Sequence, residues 1–175
     1  MSTAASGRRE VREGTDYIVL TRTFRAPIQD VWAAVTEPQR LERWIGTWTG
    51  DPESGEVTFR MTAEGEDVEP ETYRIEVCDP PRRLRTNSLT QGPEGQEWLL
   101  DLQLSEDDGT TTLTFAQAVT DPAVVAEVGP GWEYYLDRLV AAQAGDEIGA
   151  IDFEADYFPA MAEHYRALCD GQRPG

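Results

Sequence analysis

Apolar and polar residues along this chain repeat with two different periods, and the periods change in blocks. Val57, Phe59, Met61 and Ala63 are interleaved with Thr58, Arg60 and Thr62. Tyr73, Ile75 and Val77 are interleaved with Thr72, Arg74 and Glu76, and Trp98, Leu100, Leu102 and Leu104 with Asp101 and Gln103. Leu113 and Phe115 alternate with Thr112, Thr114 and Ala116. A period of two places one apolar row on one face, which predicts half-buried strands with a wet side. Tyr17 to Phe24 is β-branched and aromatic and predicts a first strand; Leu84 to Leu89 predicts a weaker one. Asp107-Asp108-Gly109 predicts a tight hairpin between two strands.

The other period is helical. Trp132, Tyr135, Leu136 and Leu139 fall at i, i+3, i+4 and i+7, Ala142 and Gln143 extend the face, and Gly145 is a stop. Ile28, Val31, Trp32 and Val35 repeat the pattern after Pro27, which suits a first helical turn. Thr36-Glu37-Pro38-Gln39 predicts a restart, with Thr36 as N-cap and Gln39 closing a capping box, ahead of a short helix carrying Leu41, Trp44 and Ile45. Gly46 to Gly55, with Trp48, reads as a loop. A helical pattern from Asp121 runs through Val124, Val125 and Val128 into Gly129-Pro130-Gly131, which reads as a kink or break between helices, or as a hinge. After Gly145, the residues Phe153, Tyr157, Phe158, Met161, Tyr165 and Leu168 predict a C-terminal helix on the outside of the domain, started by Pro159 and stopped by Gly171.

One strand, two short helices, a run of antiparallel strands and a long helix make an α+β domain in which the late helix covers the apolar face of the sheet. Residues 1–14, small, polar and charged, read as a disordered leader; 15–145 is the domain and 146–175 a helical extension. The stretches TRTFRAPIQDVWAAVTEPQRLERWIG at 21–46, CDPPRRL at 78–84 and GPGWEYYLDRL at 129–139 resemble the bacterial branch of the Hsp90-ATPase-activator-like family, within the START/Bet v 1-like helix-grip superfamily. The resemblance implies a curved antiparallel sheet gripping the long helix with a cavity between them. It also implies binding of a hydrophobic small molecule, with chemistry in that cavity in some aromatase/cyclase relatives. The eukaryotic activator has an additional N-terminal domain with an Asn-rich, Trp-containing motif; these 175 residues contain nothing like that motif, which counts against carrying a cochaperone role over with the family name.

Charge narrows the partners. The chain carries 33 acidic residues against 15 basic ones, all arginine, a net charge of −18. Nucleic acid and anionic membranes need clustered cations. Arg8, Arg9 and Arg12, and Arg82, Arg83 and Arg85, are the nearest approach, without interleaved aromatics. No apolar run is long enough for a membrane span, and the first residues lack a signal-peptide core, so the expected setting is cytoplasmic. Cys78 and Cys169 are far apart and read as buried or partly buried thiols of a reducing compartment.

Candidate chemistry is sparse. His164 is the single histidine and lies on the tail helix, where it reads as a surface or packing residue; Ser88 and Ser105 have no base in view. Tyr134, Arg138 and Asp101 are the polar residues able in principle to polarise a carbonyl, although Tyr134 and Arg138 are offset from the apolar stripe and read as facing solvent or a sheet edge. No metal-ligand spacing or cofactor motif stands out. The expected function is therefore binding or carriage of an apolar or aromatic molecule in a cavity of about 300 Å³ or more. Its lining would come from Trp44, Trp48, Phe59, Met61, Tyr73, Trp98, Phe115, Trp132, Tyr135, Leu136 and Leu139, with the two loop tryptophans at the mouth. Two alternatives stay open. One is an enzyme of the cyclase or hydrolase kind. The other is a protein-interaction module, chaperone-linked or a homodimer, using an uncovered stripe of Phe153, Tyr157, Met161 and Tyr165.

Overall fold

The computed structural model describes residues 7–61, 70–88, 99–119, 122–145, 157 and 161–170. Its framework is one curved eight-stranded antiparallel sheet in the order β1-β2-β8-β7-β6-β5-β4-β3. The strands are β1 (Arg8–Arg12), β2 (Thr15–Phe24), β3 (Gly46–Thr49), β4 (Glu56–Met61), β5 (Glu71–Asp79), β6 (Arg83–Ser88), β7 (Leu99–Asp107) and β8 (Thr110–Ala118). Between β2 and β3 come α1 (Ile28–Thr36) and the one-turn α2 (Pro38–Leu41). The long α3 (Pro122–Ala144) follows β8, and α4 (Ala162–Asp170) packs on α3.

Two strands were not legible as such. Arg8–Arg12, read as leader, is an edge strand paired along its length with β2. It has a single apolar residue, so periodicity cannot find it. Polar side-chain links to β2 hold it instead, Arg9 to Asp16 at 3.0 Å and Arg8 to the Thr21 hydroxyl at 3.2 Å, and a charged edge also resists pairing with another sheet. Glu13-Gly14, with φ of 51° and 80°, makes the same two-residue turn as Asp108-Gly109, with 53° and 80°. Gly46–Thr49, read as loop, is the opposite edge strand.

Local capping also departs from the sequence reading. Thr36 does not cap α2: its hydroxyl donates back to the Trp32 carbonyl at 2.7 Å, and Glu37 is the capping residue, without a side-chain bond. The end of α1 is closed by the two tryptophans. Trp44 donates its indole N–H to Ala34 O at 3.0 Å and Trp48 to Thr36 O at 2.7 Å, satisfying carbonyls that the helix leaves open. The start of α1 is closed from the sheet, because Pro27 has no capping side chain: the Ile28 amide donates to Glu106 Oε1 at 2.6 Å.

The 129–131 segment is not a break, and Gly129 has another role. One helix runs through it, with Pro130 inside. A Cβ on Gly129 would overlap the ring of Tyr165 from α4, as would one on Gly7. Gly129 is thus a contact surface, whereas Gly131 faces open space.

The core between sheet and helices is built from Leu20, Phe24, Leu102, Leu104, Leu113 and Phe115 of the sheet. Val31, Val35, Leu41, Tyr135, Leu136 and Leu139 of the helices complete it. A second cluster, Ile18, Val125, Tyr157, Met161 and Tyr165, seals α4 against α3 and the β2 end. Between the two clusters lies a charged bridge. Glu133 is 0% exposed, and Arg22 Nη2 reaches its Oε1 at 3.0 Å, while Arg22 Nε donates to Asp137 Oδ1 at 2.9 Å. Tyr157 donates to the other Asp137 oxygen at 2.7 Å. Burial pulls the Arg22 guanidinium down, but the Asp137 charge and the Glu133 bond and charge outweigh it and hold it above its ordinary value. Burial, followed by the Glu133 charge, pushes the Tyr165 phenol up.

Two outcomes check this account. Gly131→Ala should raise stability by about 0.5–1 kcal/mol, the ordinary helix-interior gain, while Gly129→Ala should lower it by about 1–3 kcal/mol through the Tyr165 overlap; urea denaturation of both variants separates them. Arg22→Met should cost about 3–5 kcal/mol by stranding Glu133, and the double change Arg22→Met with Glu133→Leu should recover a large part in the same assay.

Candidate functional site

Residues directly opposite each other in an antiparallel pair share a face. The register therefore traces one row across the sheet, from Trp48 to Phe59, from Val57 to Tyr73, from Tyr73 to Ser88, and from Ile75 through Thr86 to Leu100. A second row joins Leu84, Leu102, Phe115 and Leu20. Phe115 meets Trp132 of α3 with ring centroids 4.3 Å apart, so both rows look toward the helix. Val77 does not belong to them: a bulge between Ile75 and Val77 pairs it with Arg85 and turns it to the outer face, where uninterrupted alternation had placed it with Tyr73.

The inner face is covered unequally. The long helix packs on β2, and α1 packs on β7 and β8. Under them the sheet residues are fully buried. On β4 and β5 no described side chain is buried, and Phe59, Tyr73, Leu84 and Leu100 stay half-buried on the inner face, with Trp48 at one edge and Trp132 at the other.

The eleven residues expected to line a cavity divide accordingly. Trp44, Phe115, Tyr135, Leu136 and Leu139 are core, and Trp44, at 4% exposure, is packing rather than a lid. Trp48, Phe59, Tyr73 and Trp132 are half-buried on the less covered face. Trp98 and the side chain of Met61 lie outside the described residues, as do Phe153, Phe158 and Pro159.

Polar groups on this face are few and partnered. Tyr73 donates to Glu71 Oε2 at 3.1 Å. Burial, then the Glu71 charge, pushes its phenol above the ordinary range, so it stays protonated at neutral pH. Ser88 is buried opposite Tyr73. Trp132 donates its indole N–H to Gln117 Oε1.

The residues weighed for carbonyl chemistry do not meet. Asp101 is buried on the outer face, gripped by Arg83 at 2.8 Å, with Arg85 at 3.6 Å and Arg12 at 3.9 Å. Tyr134 and Arg138 are together but half-buried rather than turned to solvent. Tyr134 packs edge-on against Tyr135 and Tyr157. Arg138 donates from Nε to Trp44 O at 2.9 Å and from Nη1 to Tyr134 Oη at 3.1 Å. His164 lies at the α4–β1 contact, with Nε2 2.7 Å from Gly7 O. Cys78 is exposed, not buried: it lies opposite Leu84 one residue from the end of β5, where the inner face is less covered. Among the described residues no three potential metal ligands converge, and no helix is long and apolar enough to cross a membrane.

Residues 25–144 match the family described as "Activator of Hsp90 ATPase homolog 1-like protein". The chain belongs to this family. Solved structures agree with the assignment to the Hsp90-activator-homologue-like proteins. CalU16 from Micromonospora echinospora is 28% identical over 93% of this chain and 95% of its own, with a TM-score of 0.70 in its crystal structure. EF2215 from Enterococcus faecalis, a conserved protein of unknown function, is 19% identical over 96% and 92%, with a TM-score of 0.70, a likeness of fold alone. DynU16, from the dynemicin biosynthetic locus, is 22% identical over 74% of this chain and 48% of its own, with a TM-score of 0.56. No curated protein matches the chain in sequence. Like these relatives, this Hsp90-activator-homologue-like protein has the helix-grip architecture, a ligand-binding fold of the cavity type.

The stripe Tyr157, Met161 and Tyr165, which would mark a partner surface if uncovered, is buried against the protein's own helix and sheet, and the interaction-module alternative loses that support. The division of the inner face has a measurable correlate. Leu139→Ala should cost about 2–5 kcal/mol, as a core deletion does, and Phe59→Ala less, about 1–2 kcal/mol, since Phe59 is only partly buried to begin with. Chemical denaturation distinguishes the two classes.

Proposed function

We propose that the protein binds or carries an apolar or aromatic small molecule on the inner face of β3–β6, beneath the flank of α3. One observation carries this reading. Trp48, Phe59, Tyr73, Leu84 and Leu100 on the inner face of the sheet, with Trp132 of α3, remain half-buried, while Leu20, Phe24, Leu102, Leu104, Leu113 and Phe115 on the same face are fully packed. Apolar surface left wet on a concave face gains about 25 cal/mol for each Å² that a ligand covers. The helix-grip family assignment supports the same location. CalU16 and DynU16 bring only a shared fold to this reading, and neither supplies a ligand.

The face suits a flat aromatic compound. Phe59 and Tyr73 meet edge-on with centroids 6.0 Å apart, and Trp132 and Tyr135 do so at 6.2 Å, which leaves ring faces and edges as contact surface. The Tyr73–Glu71 pair and Ser88 add polar groups that can orient it.

The test joins native mass spectrometry of gently purified protein to titration with the neutral fluorophore N-phenyl-1-naphthylamine. A copurifying small molecule, or saturable probe emission excited through tryptophan, is the expected result. Thr86→Trp, which fills the inner face between Ile75 and Leu100, should abolish it without loss of fold. A well-folded protein that carries nothing and gives no probe response overturns the reading, as does a Thr86→Trp variant that binds like the unaltered chain.

A further inference from the structure

Six partly buried arginines are described: Arg12, Arg22, Arg40, Arg83, Arg85 and Arg138. Five have a carboxylate within 4.0 Å, namely Glu10, Glu133, Asp30, Asp101 and Glu76 in turn. Arg138 has none among the described residues, in a chain with 33 acidic side chains. Its contacts are neutral: the Trp44 carbonyl, the Tyr134 hydroxyl oxygen, and the Tyr134 ring face 5.3 Å from the guanidinium carbon.

Position gives this exception a meaning. Arg138 reaches from α3 to Trp44, two residues before β3 begins. It thus joins the C-terminal half of α3 to the chain that enters β3, the edge strand of the less covered face; Trp48 lies on that strand, and Trp132 and Tyr135 lie on its own helix. A guanidinium has five N–H donors, and two are used here. Part-burial of a cation without a counter-ion is unfavourable, and the remaining donors, on Nη1 and Nη2, are arranged to grip a carboxylate end-on.

We infer that Arg138 is the anion-recognising residue of the site, and that the ligand is an aromatic or apolar molecule bearing a carboxylate. This rests on the binding reading above. The apolar face takes the ring system, and Arg138 takes the charged oxygen at its end. The net charge of −18 opposes anions at long range, so selection for the carboxylate is local to this side chain.

Naphthoate and its methyl ester, matched in shape and differing in charge, test the inference by tryptophan fluorescence at neutral pH. Naphthoate should bind at least about tenfold more tightly than the ester, the size of a charge-assisted hydrogen bond in affinity. In Arg138→Gln the ratio should fall to about one, and in Arg138→Lys, which keeps a point charge without the fork, part of it should return. An ester that binds the unaltered protein as well as naphthoate overturns the inference, whatever the variants do. So does a naphthoate preference that survives in folded Arg138→Gln. Binding of the ester alone leaves the inner-face reading standing and removes the role of Arg138, whereas failure of both probes removes the inner-face reading and this inference with it.

Discussion

The bridge from Arg22 to Glu133 and Asp137 sets the position of everything above the sheet. It ties β2 to the middle of α3 through a carboxylate with no solvent contact, so the helix cannot slide or roll without leaving a charge unpaired in the interior. Apolar packing alone tolerates small displacements; a buried ion pair with this geometry does not. Because β2 lies next to β8 near one side of the sheet, the tether also holds α3 toward that side. The less covered inner face of β3–β6 is the geometric complement of that tether.

Most of the fold was legible because its causes are local. Alternation found β4, β7 and β8, and the 3.6-residue repeat found α1 and α3 with their buried faces. What was missed depends on distant partners. Arg8–Arg12 becomes a strand only because Asp16 and the β2 backbone receive it. Gly129 is a contact for Tyr165, 36 positions away in the chain, and a Gly-Pro-Gly motif gives no sign of that. The β5 bulge turned Val77 outward because its register is set by β6, not by its own alternation.

The site was legible only in part, for the same reason. Hydrophobicity identifies residues that leave water, not which of them stay half-covered. Phe115 and Phe59 are alike in sequence, yet one lies under α3 and the other beside it. The charged bridge did have a sequence signal. Arg22 occupies an inward position of β2, alternating with Ile18, Leu20 and Phe24, and Glu133 and Asp137 are four apart on one side of α3. An arginine in an apolar row asks for acids on the covering element. Arg138 gives no such signal, since its distinction is the lack of a carboxylate partner among the described residues.

The Tyr165 slot has a consequence for where this domain begins and ends. Its two walls, Gly7 and Gly129, lie on either side of most of the family match, and the side chain that fills it comes from beyond the C-terminal boundary of that match. His164 makes the same connection to Gly7. The stretch shared with the family, 25–144, therefore omits two partners of its own helix: β2, which supplies Arg22, and α4, which supplies Tyr165. The span of the family match is shorter than the folded unit. A fragment cut at the family boundaries would keep Glu133 and lose the cation that permits it to be buried.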